Sequence, residues 1–303
     1  MTAFAEPHSA TPSVAAGYAG AVVTVLIWAT WVLATRHTAS TSLGTVDIGL
    51  IRYGLPALVL APVWLRTGLL PKGVSPLTLA VMVAGSGFLF FQVTASALQA
   101  TPAGPAGILL GGAMPLSTAV IGTVLFGERP DRMRLAGLGA IVAGVAILLI
   151  GSLAGSGMSL AGVLLLPLGA VLWAGFTHAF RQSGLTALQG TALIAVWSFL
   201  LHLPLAAVFG VSLTTASLAE LVPQVVSQGL LSGLIATLAY GTAIRALGGS
   251  QAAAFTALTP VLATIGGGYL LGEAISPYAV VAALVVGAGV ALSTGISSKP
   301  NRH

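Results

Sequence analysis

Phe88, Gln92, Ser96 and Gln99 follow one another at spacings of 4, 4 and 3 residues, so on a helix they share one face. Two amides and a hydroxyl beside an aromatic ring can hold both the ammonium and the carboxylate of a small zwitterion. Amides on such a stripe also hydrogen-bond between packed helices, for about half a kcal/mol each, and Gln92 fits either use. Gln99, nearer the end of its apolar segment, reads as a loop contact. Gln228, Ser232 and Tyr240 form a looser second stripe, in which the Tyr240 ring can close a cavity and its hydroxyl orient a polar group. Trp28 and Trp173 stand near the middle of apolar segments, where a pair of indoles suits an apolar side chain or a cation and where plain packing also accounts for them. Trp31, towards the end of its segment, reads as an interfacial tryptophan.

The elements that must position these residues follow from composition. Charged residues are 6% of the 303 and the apolar set from Ala to Cys 56%, against roughly a quarter charged in a soluble domain. Apolar stretches reach about 20 residues, the length a helix needs to cross a hydrocarbon layer of roughly 30 Å. They lack the alternation of a membrane β-barrel. The expected fold is an all-α membrane protein.

Breaks of Gly, Pro, Ser and charge delimit ten spans, at about 16–35, 46–65, 77–98, 103–126, 134–152, 160–181, 186–209, 222–244, 250–271 and 277–296. No Lys or Arg precedes the first span, so no cleaved signal peptide is expected. With the N-terminus inside, nine of the eleven basic residues fall on the cytoplasmic side, Arg36 lies outside and Arg52 within the second span. The positive-inside rule then sets both termini in the cytoplasm, and the expected location is the plasma (inner) membrane. The net charge of +5 is thus a topology signal and not a nucleic-acid patch. The expected partners are the lipid bilayer and a small-molecule substrate, and a monomer is compatible with the sequence.

Glu273 lies 145 positions after Glu128, and the same offset relates Pro260 to Pro115, Trp173 to Trp28, Arg181 to Arg36 and Gly289 to Gly144. The chain is a five-helix unit written twice, 16–152 and 160–296, between tails 1–15 and 297–303. An odd number of spans per unit makes the second copy enter the membrane from the opposite side, an inverted repeat such as secondary transporters use. Glu128 and Glu273 each follow an apolar run and precede a new helix, whose N-terminus a carboxylate stabilises by about 0.3–1 kcal/mol; capping of that helix and anchoring of the loop is the preferred reading, a gate the second. Pro115 and Pro260, at mid-span, are candidate hinges. Gly107-xxx-Gly111 and Gly268-xxx-Gly272 are candidate close helix approaches.

The segment ALQATPAGPAGILLGGAMPLSTAVIGTVLFGERPDRMRLAGLGAIVAGVAILLIG resembles the second half of an EamA domain of the drug/metabolite transporter superfamily, through Ala97-Leu98, Pro115, Gly127-Glu128, Gly137 and Gly144. The second copy matches at Pro260, Gly272-Glu273 and Gly289, and departs where Ala282 stands for glycine. Trp28 and Trp173 resemble the first-helix tryptophan of each domain, and Arg52 an arginine of the second helix whose repeat mate here is Trp197. The resemblance implies a ten-helix transporter with a central cavity that exports small metabolites; bacterial members include exporters of amino acids, notably aromatic ones.

The expected solute-binding set is therefore Trp28, Phe88, Gln92, Ser96, Trp173, His178, Gln228 and Tyr240, and the expected hinges or gates are Pro115, Pro260, Glu128 and Glu273. Residues 16–35 hold no carboxylate of the kind a small multidrug antiporter uses, and only Arg52 is a buried-cation candidate where a phosphate carrier needs several. A neutral or zwitterionic solute, moved by alternating access without strong ion coupling, fits best, with a proton antiporter of drugs or other metabolites as the alternative. His178 and His202 titrate near neutrality by type; His178 sits three residues from Arg181 at a helix end, and His202 has no acidic neighbour on its segment, so a proton relay is the weaker reading of both. An intramembrane enzyme is more distant: there is no Cys, no His-Glu-x-x-His or Gly-x-Ser-x-Gly, and Asp47 and Asp131 fall at loops. No metal or cofactor is expected. A channel lacks a filter motif.

Overall fold

The computed structural model describes residues 13–153, 159–247, 252 and 255–294; the tails 1–15 and 297–303 and the start of the span expected at 250–271 lie wholly or partly outside them. In the first copy the helices are α1 (Val14–His37), α2 (Thr45–Val59), α3 (Ala61–Thr67), α4 (Pro76–Ser86), α5 (Phe88–Gln99), α6 (Ala103–Phe126) and α7 (Arg132–Leu153). In the second they are α8 (Leu160–Gln182), α9 (Ala187–Phe209), α10 (Leu218–Gln224), a π-helical segment Val225–Ile235, α11 (Ala236–Leu247), α12 (Thr259–Leu271) and α13 (Pro277–Ser293). Among the described residues there is no strand.

Seven spans are long and apolar enough to cross a bilayer, α4 with α5 and α10 through α11 each counting as one. The pair α2 and α3, bent by 72° at Leu60, makes an eighth, and α12 and α13 are apolar but shorter. Side-chain oxygens start these helices: those of Ser13, Ser75, Ser159, Thr186, Ser217 and Ser276 each accept a backbone N–H three residues on, satisfying donors that hydrocarbon cannot.

Repeat mates take different local forms. Pro115 lies inside the unbroken 24-residue α6, whereas Pro260 stands in the first turn of α12, directly behind a 3-10 turn over Thr256–Leu258, where its missing N–H costs nothing. The third span of the first copy is interrupted at Gly87, between α4 and α5. Its mate, Ser232, sits within the π-helical segment.

Each copy is wedged into the other. Helix α1 packs on α11, α12 and the π segment; α8, its mate, packs on α6, α4 and α5. The last helices pair as α7 with α13, so closely that a Cβ added to Gly289 would lie 2.7 Å from the Gly137 carbonyl oxygen, and one on Gly144 2.7 Å from Val286 Cγ2. Helix α6 approaches α12 through Gly107, where a Cβ would meet Ala263 Cβ at 2.8 Å, and Gly111, where one would meet Pro260 Cγ at 3.0 Å. Gly272 does not serve as its expected counterpart; with φ 66° it ends α12. Outward faces stay apolar, as at Leu58, Val124 and Tyr269, which suits lipid and not water.

Candidate functional site

An aromatic cluster crosses from one copy to the other. Trp28 of α1 meets Trp173 of α8 edge to face, centroids 6.4 Å apart, and meets Tyr240 of α11 at 5.4 Å. The cluster continues from Trp173 to Phe90 at 5.4 Å and from Phe90 to Trp31 at 6.3 Å. Trp31 is 7% exposed, so it is a core residue and not the interfacial tryptophan its position suggested. It sits beneath Arg52, whose guanidinium carbon lies 5.4 Å from the Trp31 centroid, 5.5 Å from Phe91 and 5.8 Å from Tyr53.

The polar residues of the two stripes are used differently. Gln92 donates from Nε2 to the Thr45 carbonyl (3.3 Å) and to Nε2 of His202 (2.9 Å). His202 donates from Nδ1 to the Ser198 carbonyl at 2.7 Å, so both ring nitrogens are engaged, and Phe88 packs edge-on against the ring at 4.9 Å. Gln92, Phe88 and His202 thus tie α5 to α9. Ser96 is exposed, and Gln99 donates to Thr38 Oγ1 at 2.9 Å. Gln228 is fully buried, donating from Nε2 to Thr35 Oγ1 (2.9 Å) and accepting from Arg52 on Oε1 (3.1 Å). His178 stacks on Phe126 at 4.7 Å and reaches the Thr118 carbonyl at 3.4 Å, away from the indoles.

Glu128 and Glu273 occupy equivalent turns. Gly127 and Gly272 are left-handed, φ 67° and 66°, and the following glutamate N–H donates to the carbonyl of Gly122 or Gly267, each at 3.0 Å. This is a glycine C-cap of the Schellman type. Neither carboxylate caps the helix that follows it. That task falls to Asp131, which accepts from Arg134 N–H at 2.7 Å, and Ser276, which accepts from Ala279 N–H at 3.1 Å.

The glutamates instead clasp one copy to the other. Glu273 accepts from Arg36 Nε at 2.7 Å and from the Ala103 N–H, the start of α6, at 2.7 Å; Arg36 also donates to the Gln99 carbonyl. Glu128 accepts from Arg181, the repeat mate of Arg36, at 3.2 Å, with Arg134 at 3.8 Å. Each carboxylate folds over a glycine, since a Cβ on Gly267 would lie 2.8 Å from Glu273 Oε2 and one on Gly122 2.7 Å from Glu128 Oε2. The 24 residues of α6 separate the clasps by about 36 Å, so they close opposite ends of the bundle. The Glu273 end carries further cross-links: Ser42 N–H to Glu220 and Ser212 N–H to Asp47, both 2.8 Å.

Two interleaved copies, apolar outside, with aromatic rings between them and ion pairs at both ends, define a multi-pass helical membrane protein of transporter type. The sequence matches the EamA-like transporter family over residues 15–150 and 160–295, and the chain belongs to that family. It is similar in fold to a solved structure titled "Crystal structure of protein", with a TM-score of 0.63 at 22% identity over 92% of this chain and 96% of that one. No curated protein matches it.

Proposed function

We propose that this EamA-family transporter has ten spans in two inverted repeats, with both termini in the cytoplasm of the plasma (inner) membrane. It exports small neutral or zwitterionic metabolites, amino acids and aromatic ones among them, by alternating access through a central cavity. The observation that carries this reading is the meeting of Trp28, Trp173 and Tyr240 between the two copies, midway between the Glu273 and Glu128 clasps. In the proposed topology Glu273 faces outside and Glu128 the cytoplasm, and the clasps alternate as gates. Pro260, where α12 begins, is the hinge of the second copy, and Pro115 is its counterpart in α6. Coupling to protons is unnecessary: Asp47 and Glu220 start helices and are spent on backbone N–H groups.

Counterflow of labelled amino acids into proteoliposomes, with and without a pH gradient, tests this. Uptake of an aromatic amino acid insensitive to the gradient is expected. Absence of uptake of every amino acid by folded protein would overturn the substrate class, and uptake only with the gradient would overturn the uncoupled mechanism.

A further inference from the structure

Arg52 is a cation within a predicted span, with no counter-ion among the described residues. Among the described residues no carboxylate lies within 4.0 Å of it; the ion pairs present involve Arg36, Arg134 and Arg181. An unpaired guanidinium at membrane depth is costly and marks a pathway or a ligand. The rings of Trp31, Tyr53 and Phe91 lie 5.4, 5.8 and 5.5 Å from its guanidinium carbon, and none of them accepts from its five N–H donors as a carboxylate would. Gln228 Oε1 takes one of these donors at 3.1 Å, and the nearby Tyr53 hydroxyl donates to the Ser86 and Gly87 carbonyls at 3.2 and 2.9 Å. Neither supplies charge. The side chain is only partly buried.

The surrounding network fixes the guanidinium. Thr35 spends its hydroxyl proton on the Trp31 carbonyl at 2.8 Å, so towards Gln228 it can only accept. The Gln228 amide must then turn Nε2 to Thr35 and Oε1 to Arg52. The π-helical segment Val225–Ile235 that presents Gln228 is of a kind concentrated at functional sites. At the repeat-related position Trp197 donates to the Leu69 carbonyl at 2.9 Å, so the cation has no second copy. One guanidinium edge matches one planar carboxylate, whereas a phosphate calls for several cations.

Arg52 also stands at one end of the aromatic run Trp31, Phe90, Trp173, Trp28, Tyr240. We propose that Arg52, set among the rings of Trp31, Tyr53 and Phe91 and held in orientation by Gln228, is a carboxylate-binding subsite, and that the aromatic run takes the apolar body of the same solute. The solute class is an aromatic or apolar monocarboxylate, of which an amino acid is one case. Among the described residues no carboxylate stands beside Arg52 to receive an ammonium, so the carboxylate is required and the amine is dispensable. This rests on the transport reading and narrows its substrate.

The test is thermal stabilisation of the purified full chain by L-tryptophan, indole-3-propionate, tryptamine and indole, run beside counterflow of labelled tryptophan. Tryptophan and indole-3-propionate are expected to raise the unfolding temperature, with tryptamine and indole inert. R52Q is expected to lose this response and R52K to weaken binding at least tenfold, since a lysine keeps the charge without the two-pronged edge. Q228A is expected to weaken carboxylate binding and leave the folded state intact, which guards against an R52Q variant that fails to fold. Equal binding of tryptamine, unchanged carboxylate binding in R52K and Q228A, or no response to either carboxylate would overturn the subsite. Arg52-dependent binding of carboxylates without counterflow would overturn the transport reading and leave the subsite standing.

Discussion

The two ends of the bundle are built from the same positions of the repeat and are held differently. At one end Glu273 and Arg36 are 15% and 25% exposed, and the carboxylate bonds both the guanidinium and the first N–H of α6. At the other, Glu128 and Arg181 are 31% and 65% exposed, at 3.2 Å, with Arg134 only at 3.8 Å. The chemistry is identical, a carboxylate behind a left-handed glycine and an arginine from the other copy's first helix. The difference lies in what surrounds it. Removing water makes each charge-assisted bond at the Glu273 end worth about 1.5–3 kcal/mol, while an exposed pair is worth about 0–1 kcal/mol. One end is latched and the other is loose, a difference that the proposed alternation of the two clasps as gates would use.

The largest effect is expected from E273Q or R36A, at least a tenfold loss in counterflow rate, with the protein still monodisperse. The charge-swapped pair R36E with E273R should fail to recover, because the α6 N-terminus needs an anion and not a cation; full rescue would show that Ala103 contributes nothing. G267A comes next. Its Cβ falls on Glu273 Oε2 and, at 3.2 Å, on Ala103 Cβ, and a several-fold loss of transport is expected, whereas G122A meets a carboxylate free to swing into water and should cost less. E128Q and R181A are expected to change transport less than threefold, by an amount that shrinks further as salt is raised. Equal losses at the two ends would erase the distinction drawn between them.

Much of this was legible in residue types and spacing. The offset of 145 joins Glu128 to Glu273 and Arg36 to Arg181, which already contains both clasps. What it lacked was pairing: that each glutamate reaches the other copy, and that Asp131 and Ser276 relieve it of capping, depends on the left-handed turns. The meeting of Trp28, Trp173 and Tyr240 follows from facing mid-span aromatics. Gln92, Gln228 and Trp31 were harder. An amide on a helical stripe has the same pattern whether it faces a solute, His202 or Arg52, and a tryptophan near a helix end looks interfacial until a neighbour such as Phe90 covers it. Pro260 illustrates the limit of symmetry, since identical offsets do not force identical helices when two copies adopt different conformations.

The absence of native cysteine makes the direct measurement simple: a single Trp173→Cys variant, labelled with a membrane-impermeant thiol reagent applied from each side of the membrane in turn. The introduced thiol is expected to react from one side only, with E273Q opening the second side and E128Q leaving it closed. Reaction from both sides with the clasps intact, or the same response to E273Q and E128Q, would contradict gating by the two clasps.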